Sequence, residues 1–298
     1  MLDAEESSMV RIPPAAADPA PATAGVPRSR TAEPVVARRP RKRFRFARRA
    51  TLGRSVALLR SFRFEQTDPA RFYGGIATDS VHLLGDFHAD LTGRDLAGTT
   101  VLDVGGGPGY FADEFARAGA WYIPVEPDPS EMHAADITVP AAVRGSGMAL
   151  PFRDNAVDIC FSSNVAEHIP DPWRMADEMV RVTKPGGIIV LSYTVWLGPF
   201  GGHETGPWHY FGGEYAAHRY RRKTGQEPKN RFGVSLFALP ARAGVRWSKR
   251  TSATVHAVFP RYHPRWAWWL VRIPGLRELL VSNLVVVAEK PSGPPQHD

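Results

Sequence analysis

The run Val101–Phe111 reads VLDVGGGPGYF: an apolar segment carrying an acid, Asp103, then Gly105, Gly106, Gly107 and Gly109. Twenty-one residues after Gly105, a second apolar segment ends on Glu126, followed by Pro127. Glycine lets a backbone pass close to a ligand, or take φ angles that a Cβ forbids. Glu126 has two acceptor oxygens, enough for a pair of ribose hydroxyls. A glycine turn followed by an acid at the end of the next strand is how a parallel α/β sheet holds an adenosine-containing cofactor. A dinucleotide turn, G-x-G-x-x-G, would need glycine where Tyr110 stands, and the phosphate-loop pattern is absent. A second group of residues is suited to proton transfer. His203, Glu204 and His209 share one glycine- and aromatic-rich stretch, and His168 follows Glu167. Histidine titrates near neutrality and serves as a base there.

Four blocks stand in a fixed order: Asp103 to Gly109; Glu126-Pro127-Asp128; Gly145 to Phe152; and Ile159 to His168, continuing through Glu178 and Arg181 to Gly187. Together they resemble the class I S-adenosylmethionine (SAM) methyltransferases, in particular the UbiE-like, type 11 branch. The resemblance covers roughly Phe64 to Lys290. It implies a Rossmann-like α/β fold: a seven-stranded, mostly parallel sheet with an antiparallel last strand and helices on both faces. It also implies SAM as cofactor. The glycine turn would lie along its amino-acid end, with Asp103 toward the ammonium, and Glu126 would take the ribose. Met148 would lie on the adenine. Ser146 stands where the family has an acid for the adenine amino group, so that hydrogen bond loses its charge. Tyr110, Pro127, Gly147, Ser162 and Asn164 complete the expected cofactor set.

The elements that position these groups follow from the same pattern. Asp68-Pro69 reads as a helix start, opening a helical stretch to about Leu91 that would cover the cofactor. Phe72 and Tyr73 on it are expected at the acceptor pocket. An insertion at about 195–228 follows the fifth strand, at the sheet edge where ligands bind. Trp196, Glu204, Trp208 and Tyr210 are its expected acceptor wall, and His209 or His203, ahead of His168, the expected base. The expected chemistry is O-methylation by in-line SN2 transfer to a small molecule, a lipid or a lipid-linked glycan. His203, Glu204 and His209 lack firm metal-ligand spacing, and no metal is expected. Leu236–Ala243 reads as a short helix before the sixth strand.

Of 298 residues, 43% are hydrophobic and one is cysteine, so no disulfide forms within the chain. Cys160 sits in an apolar run and is expected in the core. The start of the chain lacks a secretory pattern, and no stretch reaches the length of a spanning helix; a cytoplasmic location is expected, with peripheral attachment to the inner face of the membrane left open. Residues 1–60 are expected to be a disordered, Pro/Ala-rich basic extension ahead of a domain at 61–298. Eight of the twelve residues in Arg38–Arg49 are basic, interleaved with Phe44 and Phe46. A second basic stretch, Arg261–Arg277, carries Trp266, Trp268 and Trp269 within an insertion at about 260–282. Three tryptophans so close cannot all face a small core. Both stretches read as contacts for an anionic membrane surface. The net charge of +7 keeps a nucleic-acid role open, but no base-gripping signature or RNA-binding module is present and nucleic acid is disfavoured. A non-catalytic SAM-binding scaffold is the other alternative; monomer and homodimer both stay open.

Overall fold

The computed structural model describes residues 44–292, apart from 65, 66, 133 and 136. Three helices come first: α1 (Phe46–Arg49), α2 (Leu52–Ser61) and α3 (Pro69–Thr92). Asp68 caps α3 by accepting from the Arg71 N–H at 3.2 Å, and Pro69 opens its first turn. Next come β1 (Thr100–Val104), α4 (Ala112–Arg117), β2 (Trp121–Glu126), α5 (Pro129–Met132), β3 (Val143–Arg144), β4 (Val157–Ser163), α6 (Pro172–Val182) and β5 (Thr183–Thr194). The chain ends with α7 (Gly213–Thr224), α8 (Ala241–Trp247), β6 (Thr254–Pro260), α9 (Leu276–Leu280) and β7 (Asn283–Glu289).

The strands form one sheet in the order β3-β2-β1-β4-β5-β7-β6. β7 alone runs antiparallel to its neighbours. This is the expected Rossmann-like arrangement, and the switch from β1 to β4 leaves a crevice at the carboxyl edge. The strand period of two sorts the core into two layers. Ile188 and Val190 of β5 face α1, α3 and α4, joining Phe46, Leu83, Phe87 and Phe115. Ile189, Leu191 and Tyr193 face α6 and α8, joining Met175, Met179 and Trp247. Cys160 is buried, as expected.

Two boundaries differ from the sequence reading. Among the described residues helical structure begins at Phe46, well inside the extension expected to be disordered to residue 60. Phe46 is fully buried against Phe87 and Phe259, and Phe44 packs on Phe87 at 4.6 Å. These rings complete the core and do not face a membrane. Arg45 and Arg49 pair with Asp90 and Asp86 of α3; Arg38 to Arg43 lie outside the described residues. The short helix expected at Leu236–Ala243 begins only at Ala241, because Pro240 stands at its N-cap with extended backbone. The 260–282 insertion forms a 3-10 turn, Arg265–Arg272, and α9. Trp268 stacks on Phe259 at 4.2 Å, whereas Trp266 and Trp269 are 71% and 47% exposed.

Candidate active site

The glycine turn leaves β1 at the carboxyl edge of the sheet. The N–H groups of Gly105 and Gly106 donate to the Val125 carbonyl at 2.8 and 3.3 Å, hanging the turn on β2. Gly105 has φ +79°, and a Cβ there would lie 2.4 Å from Val165 Cγ2. Gly107 has φ +51°, and a Cβ there would meet nothing within 4 Å, so the turn borders open space. Gly109 is pressed against Val139. Glu126 ends β2 half-buried, and the Asp128 N–H donates to its Oε1 at 3.3 Å. Burial pushes its carboxyl up, against the pull of the Asp128 and Gly107 N–H groups. An open glycine turn beside a half-buried carboxylate fits SAM: the turn for its amino-acid end, Glu126 for its ribose hydroxyls.

Several expected cofactor contacts also brace this edge from within. Asp103 is 4% exposed and accepts from the Tyr122 hydroxyl at 2.7 Å. Burial raises it to about 7, the Tyr122 hydrogen bond opposes, and the Glu126 charge adds to the rise. Ser162 is fully buried; its hydroxyl donates to the Val104 carbonyl at 2.9 Å, tying β4 to β1. Its place among the cofactor contacts is therefore withdrawn. The Pro127 carbonyl accepts from Arg144 at 3.4 Å. Ser146 accepts from the Met148 N–H at 3.2 Å and so holds a tight turn, while Gly147 is wedged against Met175 and Val104. Asn164 has φ +57°, and its Oδ1 accepts from Asn283 at 2.7 Å.

On the covering helix, Tyr73 stacks on Tyr110 with centroids 4.9 Å apart and planes 9° apart. This bridges α3 to the glycine turn. Phe72 is 2% exposed and packs on Phe62 at 5.1 Å, so it belongs to the core rather than to an acceptor pocket.

The acceptor loop reorders the expected bases. His209 is 1% exposed, its Nε2 lies 3.3 Å from the Gly198 carbonyl, and a Cβ on Gly202 would fall 2.4 Å from its Nδ1. Its Nε2 faces the loop backbone and its Nδ1 is buried without a partner, so the ring packs within the loop. Glu204 accepts from the Asn230 N–H at 2.7 Å and from its side-chain amide at 2.8 Å, which commits both oxygens to structure. Trp196 packs on His209 and Phe232. Trp208 lies under Arg219 at 3.7 Å, and Tyr210 is exposed. His203 and His168 do come together: their rings are 5.1 Å apart, beside Glu167. Burial holds His203 below its ordinary pKa, opposed by the Glu167 charge.

One buried cluster beside this edge was missed. Arg261 is fully buried and reaches Asp79 of α3 at 3.3 Å, Ser80 at 2.7 Å and Ser163 at 2.7 Å. Arg54 grips the same Asp79 at 2.7 and 2.9 Å. The membrane role expected of the Arg261 end of its stretch fails, because the guanidinium pins α3 to the end of β4. The available signal was Asp79 itself, an acid three residues after Ile76 on the apolar face of a helix.

The "Methyltransferase domain" family model matches residues 102–191, the span from β1 to β5 that carries the glycine turn and Glu126. A protein of Mycobacteroides abscessus named as an uncharacterized methyltransferase is 62% identical over 249 residues, covering 81% of this chain and 96% of its own. One from Mycobacterium tuberculosis, named likewise, is 61% identical over 246 residues, covering 81% and 96%. A solved S-adenosylmethionine-dependent methyltransferase from Mesorhizobium loti overlaps with a TM-score of 0.46 at 17% identity, covering 66% of this chain and 93% of its own. With its β1 glycine turn, its β2 acid and relatives of this similarity over nearly their whole length, the chain belongs to the class I methyltransferase family and is a SAM-dependent methyltransferase.

Proposed function

We propose that the chain methylates a hydroxyl oxygen of a small-molecule or lipid acceptor by in-line displacement. When bound, SAM supplies an electrophilic methyl group on a sulfonium. The observation that carries the reading is the Glu167–His168–His203 group at the carboxyl ends of β4 and β5. Val165, two residues before Glu167, packs directly against Gly105 of the cofactor turn. The group thus stands beside the cofactor turn with oxygen and nitrogen acceptors to orient a hydroxyl. Positioning of this kind supplies much of the rate of a bimolecular transfer.

The lipid part of the reading rests on the surface. Exposed Leu52, Val56 and Leu59 recur at helical spacing on α2, and Trp266, Trp269, Leu279 and Leu280 are exposed as well. The Arg265 N–H donates to the Ala50 carbonyl at 2.8 Å, tying the tryptophan segment to the start of α2. At the far end of α2, Phe62 stacks on Phe200 of the acceptor loop at 4.3 Å. Exposed tryptophan with neighbouring Arg265 and Arg272 suits an anionic lipid interface. Among the described residues no helix is long and apolar enough to cross a membrane.

The test is transfer of label from methyl-labelled SAM into a total lipid extract of the source organism. A discrete labelled lipid band is expected. Label confined to nucleic acid, or SAM bound without transfer to any extract, sinks the reading in favour of those alternatives. Binding to vesicles containing anionic phospholipid is expected to weaken about tenfold or more in Trp266→Ala/Trp269→Ala, since removing a large apolar side chain from an interface costs roughly 1.5–3 kcal/mol. Equal sedimentation of both proteins with the vesicles would remove the membrane component.

A further inference from the structure

Glu167 is 1% exposed, and its two oxygens have different fates. Oε1 accepts from the Thr194 N–H at 3.0 Å, whereas Oε2 is buried with no partner. Nε2 of His203 is also buried with no partner. On His168, Nδ1 lies 2.6 Å from the Ser235 carbonyl. A carbonyl only accepts, so the proton is on Nδ1 and the lone pair is on Nε2. Glu167 Oε2 and His168 Nε2 therefore carry lone pairs, and the unpartnered His203 Nε2 offers a third when its proton is on Nδ1. The ligand atoms of Glu167, His168 and His203 all lie within 4.8 Å of one another.

Leaving Glu167 Oε2 and His203 Nε2 buried and unpaired costs about 1–3 kcal/mol each. A cation would satisfy both and would engage His168 as well. We infer that Glu167, His168 and His203 form a binding site for one divalent transition-metal ion. The ligand chemistry sets the class: two imidazoles and one carboxylate suit zinc, cobalt, iron or manganese, whereas calcium and magnesium prefer oxygen shells. Ligands on one such ion sit about 2.0–2.2 Å from it, so small side-chain rotations close the set. The Ser235 carbonyl supplies the outer hydrogen bond that fixes the orientation of a ligating histidine. Thr194 does the same for Glu167 from the end of β5.

The site replaces the set that the sequence put forward and set aside. Both Glu204 oxygens are taken by Asn230, and His209 Nε2 lies against the Gly198 carbonyl. Only His203 is shared between the two sets. A three-ligand site keeps open positions. On the proposed reading of the chain as an O-methyltransferase, the acceptor oxygen fills one of them. Ligation there would orient it and ease loss of its proton to solvent.

The experiment uses the full chain, free of any tag and treated with chelator, titrated with Co²⁺ by absorption and with Zn²⁺ by calorimetry. One equivalent of each is expected, with the visible Co²⁺ bands of a mixed nitrogen–oxygen shell. Glu167→Gln and His203→Ala are each expected to weaken binding at least tenfold, while the exposed-histidine control His218→Ala leaves it unchanged. SAM binding by calorimetry shows that the substituted chains are folded. Should they not fold, X-ray absorption of the wild-type zinc form decides alone: two imidazoles in the first shell support the site, and one or none overturns it. No uptake by the wild-type chain, or equal uptake by Glu167→Gln/His203→Ala, also overturns it. Metal uptake without SAM binding would leave the site standing and remove the methyl-transfer reading instead.

Discussion

Asp79→Asn is expected to destabilise the fold by about 3–5 kcal/mol, the usual cost of removing one partner from a buried charge cluster. The substitution keeps the shape of the side chain and removes its charge. Two guanidiniums then remain against α3, Arg261 fully buried and Arg54 nearly so, with no anion between them. For a domain of this size the melting temperature should fall on the order of 10 °C. Arg261→Met should cost less, because Arg54 still pairs with Asp79. The wild-type cluster also predicts a pH signature. Burial pushes the Asp79 carboxyl up, but the Arg261 charge and then Arg54 outweigh it, leaving it below its ordinary value of 3.8. A carboxyl depressed on folding stabilises fully above its unfolded pKa, and that contribution fades as pH falls through the depressed value. The cluster is therefore intact across neutral pH and is lost only in strong acid. Urea unfolding at pH 7 and pH 3 reads both effects; a melting temperature unchanged in Asp79→Asn would show that the cluster does not hold α3 to the sheet.

Gly105→Ala is expected to weaken SAM binding about 10- to 100-fold while the chain stays folded. The backbone φ of +79° is left-handed, costing a side-chain-bearing residue roughly 1–2 kcal/mol. The new Cβ would also collide with Val165, so the turn must rise or Val165 must move. Either change disturbs the surface on which the cofactor lies. Glu126→Gln should weaken SAM by a similar factor, since hydrogen bonds to a charged group contribute about 1.5–3 kcal/mol. Gly98→Ala separates strain from site. Its φ is +73°, but a Cβ there meets nothing, and it precedes β1 at the opposite edge of the sheet. It should lower stability slightly and leave SAM affinity unchanged. Equal SAM affinity in Gly105→Ala and the wild type, by calorimetry, would remove the glycine turn from the cofactor site.

The sequence by itself determined the strand–turn–helix of the cofactor site, because that information is local. Short, nearly continuous apolar runs make β1, β4 and β5, the φ angles of the turn favour glycine, and Glu126 follows at the end of the next strand. The sheet architecture came with the family resemblance, whereas the capped start of α3 and the brace of Arg181 on Glu178, now seen at 2.7 Å, were read from local residues. The partners of polar side chains far apart in the chain were not legible. Asp79 and Arg261 are 182 residues apart, and nothing local says that they meet. The same holds for Glu204 with Asn230, for the Gly198 carbonyl beside His209, and for His203 beside Glu167. Composition made the acceptor loop a reservoir of histidines of equal promise. Only the tertiary structure set their surroundings, with His209 packed against loop backbone and His203 beside Glu167, whose Oε2 is buried without a partner. It also turned Phe46 and Arg261 inward and left Trp266 and Trp269 in solvent, because burial is a property of the packed chain and not of residue type.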